Sequence, residues 1–126
     1  MTATAALSPH KTMLLTTFRK DGTPVGSPVT VAVVDGRIFF RTYTDTWKFK
    51  RMHRNPQVEV APATFRGKPL GPVLPGRARR LDGDDVKLAR KAIKRRSPVL
   101  QGMFVPALHR LMRYTTVHYE LIPTDA

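Results

Sequence analysis

The stretch Arg41-Thr42-Tyr43-Thr44-Asp45-Thr46-Trp47-Lys48 gathers four hydroxyls, one guanidinium and one ammonium within eight residues. A β-prone run ends there and a helix-prone run begins. The groups therefore surround a helix N-terminus, where free backbone N–H groups and the helix dipole favour an anion. Donors of these kinds can hold a phosphate. The same residues also describe a solvated loop with ordinary capping, in which Thr44, Asp45 or Thr46 serves as N-cap.

Other chemistry is sparse. The four histidines, His10, His53, His109 and His118, lack metal-ligand spacing and read as single core or surface residues. No metal site is expected. There is no cysteine, hence no thiolate nucleophile and no disulfide framework. Glycine-rich dinucleotide and P-loop patterns are absent, as is a nucleophile elbow. Asp84 and Asp85 are adjacent, but acids at a helix start explain them. No catalytic residue can be named. If the chain catalyses, a bound cofactor must supply the hard chemistry.

The elements that position this segment follow from pattern. Residues 13–18 form a β-prone apolar run ending at Asp21-Gly22, and residues 24–34 form a second strand rich in valine. Asp35-Gly36 is a second two-residue turn signal, leading to a strand over 37–42. Pro28, inside the second strand, predicts an edge or a bulge there. Residues 46–54 read as a short helix stopped by Asn55-Pro56. Strands follow over 57–64 and 76–81, separated by a proline- and glycine-rich turn region. A helix is expected from 84 or 85 to 96, with Val86, Ala89, Ala92 and Ile93 on one face. A second helical stretch is expected over about 99–113, then a last strand over 114–122. About six strands with two or three short helices make a mainly β (α+β) fold, most easily closed as a small barrel.

At 126 residues, the chain reads as one domain over 1–126. Hydrophobic residues make up 41% and charged residues 25%, which fits a globular protein. The net charge of +13 calls for anionic partners. The cations cluster over 48–54, 66–80 and 87–96. A basic nucleic-acid-binding module is one alternative, carried by the cationic face of the 86–96 helix. No RNP, helix-turn-helix or zinc pattern accompanies it, so nucleic acid is not the expected partner. No apolar run is long enough to span a bilayer, and the N-terminus lacks the features of a signal peptide. The expected location is the cytoplasm, with no membrane partner.

In the segment from Arg41 to Pro56 the sequence resembles the pyridoxamine 5′-phosphate oxidase-like split-barrel family. Arg41-Thr42 stands at that family's Tyr-Thr, Thr46-Trp47-Lys48 at its Ser-Arg-Lys, and Asn55-Pro56 at its Asn-Pro, without gaps. The departures are Arg41 for tyrosine and Trp47 for arginine. The opening Thr-Phe-Arg-Lys-Asp-Gly-Thr-Pro and the Arg-Gly-Lys-Pro stretch are similar to the short basic members that use the deazaflavin coenzyme F-420 in place of FMN.

The resemblance implies a six-stranded split barrel of the FMN-binding type and a flavin-like cofactor. Ser27, Pro28, Val29 and Thr30 would line its ring. Thr42, Tyr43 and Lys48 would hold its phosphate, with Arg41 nearby. Trp47 would pack on the cofactor or be a buried helix-start aromatic. Arg77 is a further cofactor-binding candidate, and Lys50, Arg51, Arg66, Lys68 and Arg79 are candidates by charge. Met103, Phe104 and Tyr114 would face the pocket or fill the core. FMN carries one phosphate, whereas the deazaflavin carries a phosphodiester and a glutamate tail. The excess of cations favours the longer anion. Hydride transfer to or from a small organic substrate is the implied reaction. A homodimer with the cofactor at the interface is the implied assembly.

Overall fold

Asp35 and Gly36 both take positive φ, 51° and 76°, so the second Asp-Gly closes a two-residue turn of the expected kind. The first Asp-Gly does not. There Arg19 N–H donates to the Thr23 carbonyl at 2.9 Å, Asp21 Oδ1 accepts from Thr23 N–H at 2.9 Å, and of the loop residues only Gly22 has positive φ. The aspartate side chain closes its own turn, and the loop lengthens.

The structure is a computed structural model that describes residues 2–96 and 115–124. In these, α1 (Ala3–Leu7) precedes β1 (Thr12–Phe18), β2 (Pro24–Val34) and β3 (Arg37–Tyr43). Then come α2 (Trp47–Arg54), β4 (Gln57–Pro62), β5 (Leu74–Arg80), α3 (Gly83–Arg96) and β6 (Thr116–Pro123). The helical stretch expected over 99–113, which holds Met103 and Phe104, lies outside the described residues, as does Tyr114. The short α1 carried no sequence signal strong enough to place it.

The six strands close an antiparallel barrel in the order β1-β2-β3-β6-β5-β4. Alternation sends Met13, Leu15, Val29, Val31, Ile38, Phe40, Val60, Tyr119 and Leu121 inward, where Phe40 and Tyr119 stack with centroids 5.2 Å apart. Burial of these side chains, at about 1.5–3 kcal/mol each, is the main stabilising term. Ala3 and Leu7 of α1 and Met52 and Phe49 of α2 join this core. On the outside, Ala89, Ala92 and Ile93 of α3 bury Phe39, Ala32 and Leu81 in a second cluster.

Candidate functional site

β2 and β3 part company halfway along. Their ladder runs from Val34↔Arg37 to Val31↔Phe40 and stops. Beyond it, residues 24–30 of β2 pair with β1, while Arg41, Thr42 and Tyr43 pair with β6. Continuing the register would set Thr30 opposite Arg41, Val29 opposite Thr42 and Pro28 opposite Tyr43. The residues singled out for ring and phosphate thus flank one split in the sheet. Pro28 lies where the second edge of β2 carries no strand ladder, which is where proline is tolerated.

Alternation divides these residues between two faces. Pro28 is exposed and Thr30 is partly exposed on the outer face. Val29 is 6% exposed, with its side chain in the barrel core. Ser27, half-buried, shares the inward parity of Val29. On β3, Thr42 is 1% exposed and inward, while Arg41 and Tyr43 are half-buried on the outside.

An open cleft of about 640 Å³ lies beside the outer face, with Pro28, Val29, Thr30, Lys11, His10 and Phe65 among its walls. One side is set by the connection between β4 and β5. There Gly67 takes φ +93°, and an added Cβ would stand 3.4 Å from Pro28 Cδ. The left-handed backbone calls for glycine, while the added Cβ itself would make an ordinary van der Waals contact. Sequence reasoning missed His10, Lys11 and Phe65, which come from segments far from β2 in the chain. Phe65, 79% exposed, had only its place in a glycine- and proline-rich turn to mark it.

α2 begins as expected, with Thr46 as N-cap. Thr46 Oγ1 donates to the Tyr43 carbonyl at 2.7 Å and accepts from Phe49 N–H at 3.3 Å. Its one proton being used, it accepts from Thr42 Oγ1 at 3.1 Å. The buried Thr42 hydroxyl therefore supports the cap and does not stand free. Lys48 is half-buried on the first turn, and its ammonium makes no hydrogen bond or ion pair with a described residue. Burial and the nearby Arg51 lower its pKa, against the opposing charge of Asp45. Trp47 is 70% exposed, contrary to a buried helix start, with Lys50 Nζ 4.6 Å from its ring centroid.

Arg19, Lys20, Trp47, Arg51 and Arg54 line a second hollow of about 380 Å³ at this end of the barrel. Arg51 Nε donates to the buried Thr17 Oγ1 at 2.7 Å, and Arg54 Nη2 donates to the Phe18 carbonyl. Desolvation, then Arg19 and Arg54, lower the Arg51 pKa. The ion pairs among the described residues join Arg37, Arg79, Lys87, Asp84, Asp85 and Glu120 and none of these cations. The hollow is a positive basin with an aromatic wall.

Arg77 is exposed on β5, which lies across the barrel from β2. One chain does not bring it to the split. Arg79 is engaged elsewhere, with Nη2 2.6 Å from Glu120 Oε1 and 3.6 Å from Asp85 Oδ2. Among the described residues no three acidic or imidazole groups cluster as metal ligands. No helix there is long and apolar enough to cross a membrane.

The sequence profile of pyridoxamine 5′-phosphate oxidase matches residues 2–117. No curated protein matches significantly. Among solved structures, a protein of unknown function from Agrobacterium tumefaciens is 26% identical with a TM-score of 0.71, over 92% of this chain and 49% of that one. This chain thus spans about half the length of that relative. A conserved hypothetical protein from Mycobacterium tuberculosis is 18% identical with a TM-score of 0.70, over 99% of this chain and 82% of that one. The heme storage protein of Vibrio cholerae is 16% identical with a TM-score of 0.69, over 93% and 84%. The last two likenesses concern the fold. With its six-stranded split barrel and a profile match over nearly its whole length, the chain belongs to the pyridoxamine 5′-phosphate oxidase family.

Proposed function

We propose that this protein binds the deazaflavin coenzyme F-420 and moves hydride between it and a small organic substrate. One observation carries the reading. The split of β2 from β3 adjoins an end of the barrel where Arg19, Lys20, Lys48, Lys50, Arg51 and Arg54 form no ion pair among the described residues. Such a set suits a ligand with several negative charges along its length better than one with a single phosphate.

The residues fit the coenzyme. The outer face at Pro28 and Thr30, with Val29 at the strand backbone, offers a flat seat beside the cleft. Lys48 and the uncapped first N–H groups of α2 hold negative charge, Tyr43 lies alongside, and Arg41 is nearby. Trp47 gives the basin an aromatic wall. When bound, the coenzyme supplies a hydride donor or acceptor at its ring. The chain's part is to orient that ring against β2 and, through the Gly67 connection, to limit water.

Arg77 enters this reading through a second copy. A homodimer with the cofactor between subunits would let β5 of one chain serve β2 of the other. Light scattering reads that directly, and a monomer at micromolar concentration removes Arg77 from the site.

FMN is the second reading, favoured by the family match itself. Parallel titrations by absorbance and fluorescence with coenzyme F-420, FMN and heme decide. Salt-sensitive binding of the deazaflavin is expected. Tight FMN binding with none of the deazaflavin overturns the first reading.

A further inference from the structure

Arg41 and His118 are cross-strand partners on the β3–β6 ladder. Both belong to the outward parity of their strands, and α3 packs over that face. His118 is 5% exposed, and its imidazole makes no hydrogen bond with a described residue. Arg41 is half-buried, and its contact is the Tyr43 ring, 5.9 Å from Cζ to centroid. Neither Arg41 nor the exposed Arg90 of α3 has an ion pair or side-chain hydrogen bond among the described residues. Desolvation lowers the Arg41 pKa, and the charges of Arg90 and Arg41 bear on His118.

The neighbouring arginines on this face differ. Arg37 and Arg79 are both bound to Glu120 and Asp85. Two residues along β6 from Glu120 the acids run out. Residues 97–114 contain no aspartate or glutamate, so they supply no side-chain counter-charge. Desolvation of Arg41 is a cost, and at His118 burial first, then the charges of Arg90 and Arg41, disfavour the imidazolium. An oxyanion offsets this uncompensated positive charge, since guanidinium matches carboxylate and phosphate geometry.

We propose that the outer face of the β3–β6 ladder beside α3 is a seat for a small oxyanion, a carboxylate or phosphate, received by Arg41 and Arg90 over the His118 imidazole. A continued β2–β3 register would set Arg41 opposite Thr30, a wall of the cleft, so the seat lies on that side of the split. The acid group of an anionic substrate and an acid group of the coenzyme share this chemistry. The seat itself does not depend on which cofactor the protein uses.

The His118 ring resonance in NMR is the probe, assigned by its loss in His118→Gln. Inorganic phosphate and succinate are each added at constant ionic strength set with chloride. Either anion should move the His118 titration upward by about half a unit or more, because a bound anion favours the imidazolium. Arg41→Gln with Arg90→Gln should abolish the response. If the double variant fails to fold by circular dichroism, Arg90→Gln alone, at an exposed position, should weaken the anion at least threefold. An unmoved titration, or an equal response in the variants, overturns the seat. Coenzyme F-420 is then added to the same sample. If it shifts His118, the seat takes the coenzyme's acid; if it binds without doing so, the seat takes the substrate's. No coenzyme binding with an intact phosphate response refutes the proposed function and supports the seat.

Discussion

Glu120 receives the Arg37 guanidinium through two hydrogen bonds, from Nη2 to Oε1 at 2.8 Å and from Nε to Oε2 at 3.2 Å. Arg79 Nη2 adds a third at 2.6 Å, and Asp85 of α3 joins through Arg37 Nη2 at 3.3 Å. One carboxylate thereby joins β3, β5 and β6 and, through its arginines, the first turn of α3.

The Arg37 hydrogen bonds hold the Glu120 carboxyl below its usual range, with Arg79 adding to the effect. The resulting stability is present above the unfolded carboxylate value, about 4.3. It is lost as pH falls through the lower folded value. Glu120→Gln should cost about 1–2 kcal/mol at pH 7, a hydrogen-bond loss discounted for the exposure of the two arginines. Its penalty should shrink in acid. Urea melts of both proteins at pH 7 and pH 3 check this.

His118 acts over a higher window. Burial, then Arg90 and Arg41, lower its pKa to about 4. In the unfolded chain it is near 6.5. Between these values the unfolded state binds more protons, so stability should fall as pH drops from about 6.5 toward 4. The loss should amount to about 2–3 kcal/mol. His118→Gln should flatten the slope in that window. A slope unchanged by the substitution would assign it to other groups.

Lys48→Ala should weaken coenzyme F-420 binding by about 1–3 kcal/mol, the range for charge-assisted hydrogen bonds. Lys91→Ala, on the exposed face of α3, should leave binding nearly unchanged. Fluorescence titrations at two salt concentrations test both. Equal affinities for wild type and Lys48→Ala would place the negative charge elsewhere.

Gly67→Ala should destabilise the fold by about 1–2 kcal/mol, because φ +93° disfavours any side chain. The added methyl, 3.4 Å from Pro28 Cδ, makes an ordinary van der Waals contact, so ligand affinity should change little while stability falls. Thermal melts and titrations on the same samples check both. Gly22→Ala, where φ is +90° and nothing lies within 4 Å, should show a similar backbone penalty.

The local order of the chain was legible in its residues. Asp35-Gly36 needs positive φ at two successive positions, and few residue pairs supply it. The valines of β2, the cap at Thr46 and the apolar face of α3 likewise depend on neighbours a few residues away. The cationic character of α2 and the strand bounds of β2 followed in the same way. Departures from expectation were also local. Asp21 closes its turn with its side chain, and of the two readings of Trp47 the buried helix-start aromatic fails because the inward positions of α2 fall to Phe49 and Met52.

Tertiary structure alone decided which distant groups meet. Period-two alternation states that a residue faces in or out, but not which strand lies beside it. Only the pairing of β3 with β6 sets Arg41 against His118, and only closure of the barrel carries Arg77 away from β2. The Glu120 cluster spans residues up to 83 positions apart in the chain. Its members find one another because strand ladders and helix packing bring them together, a non-local event that no window of sequence contains.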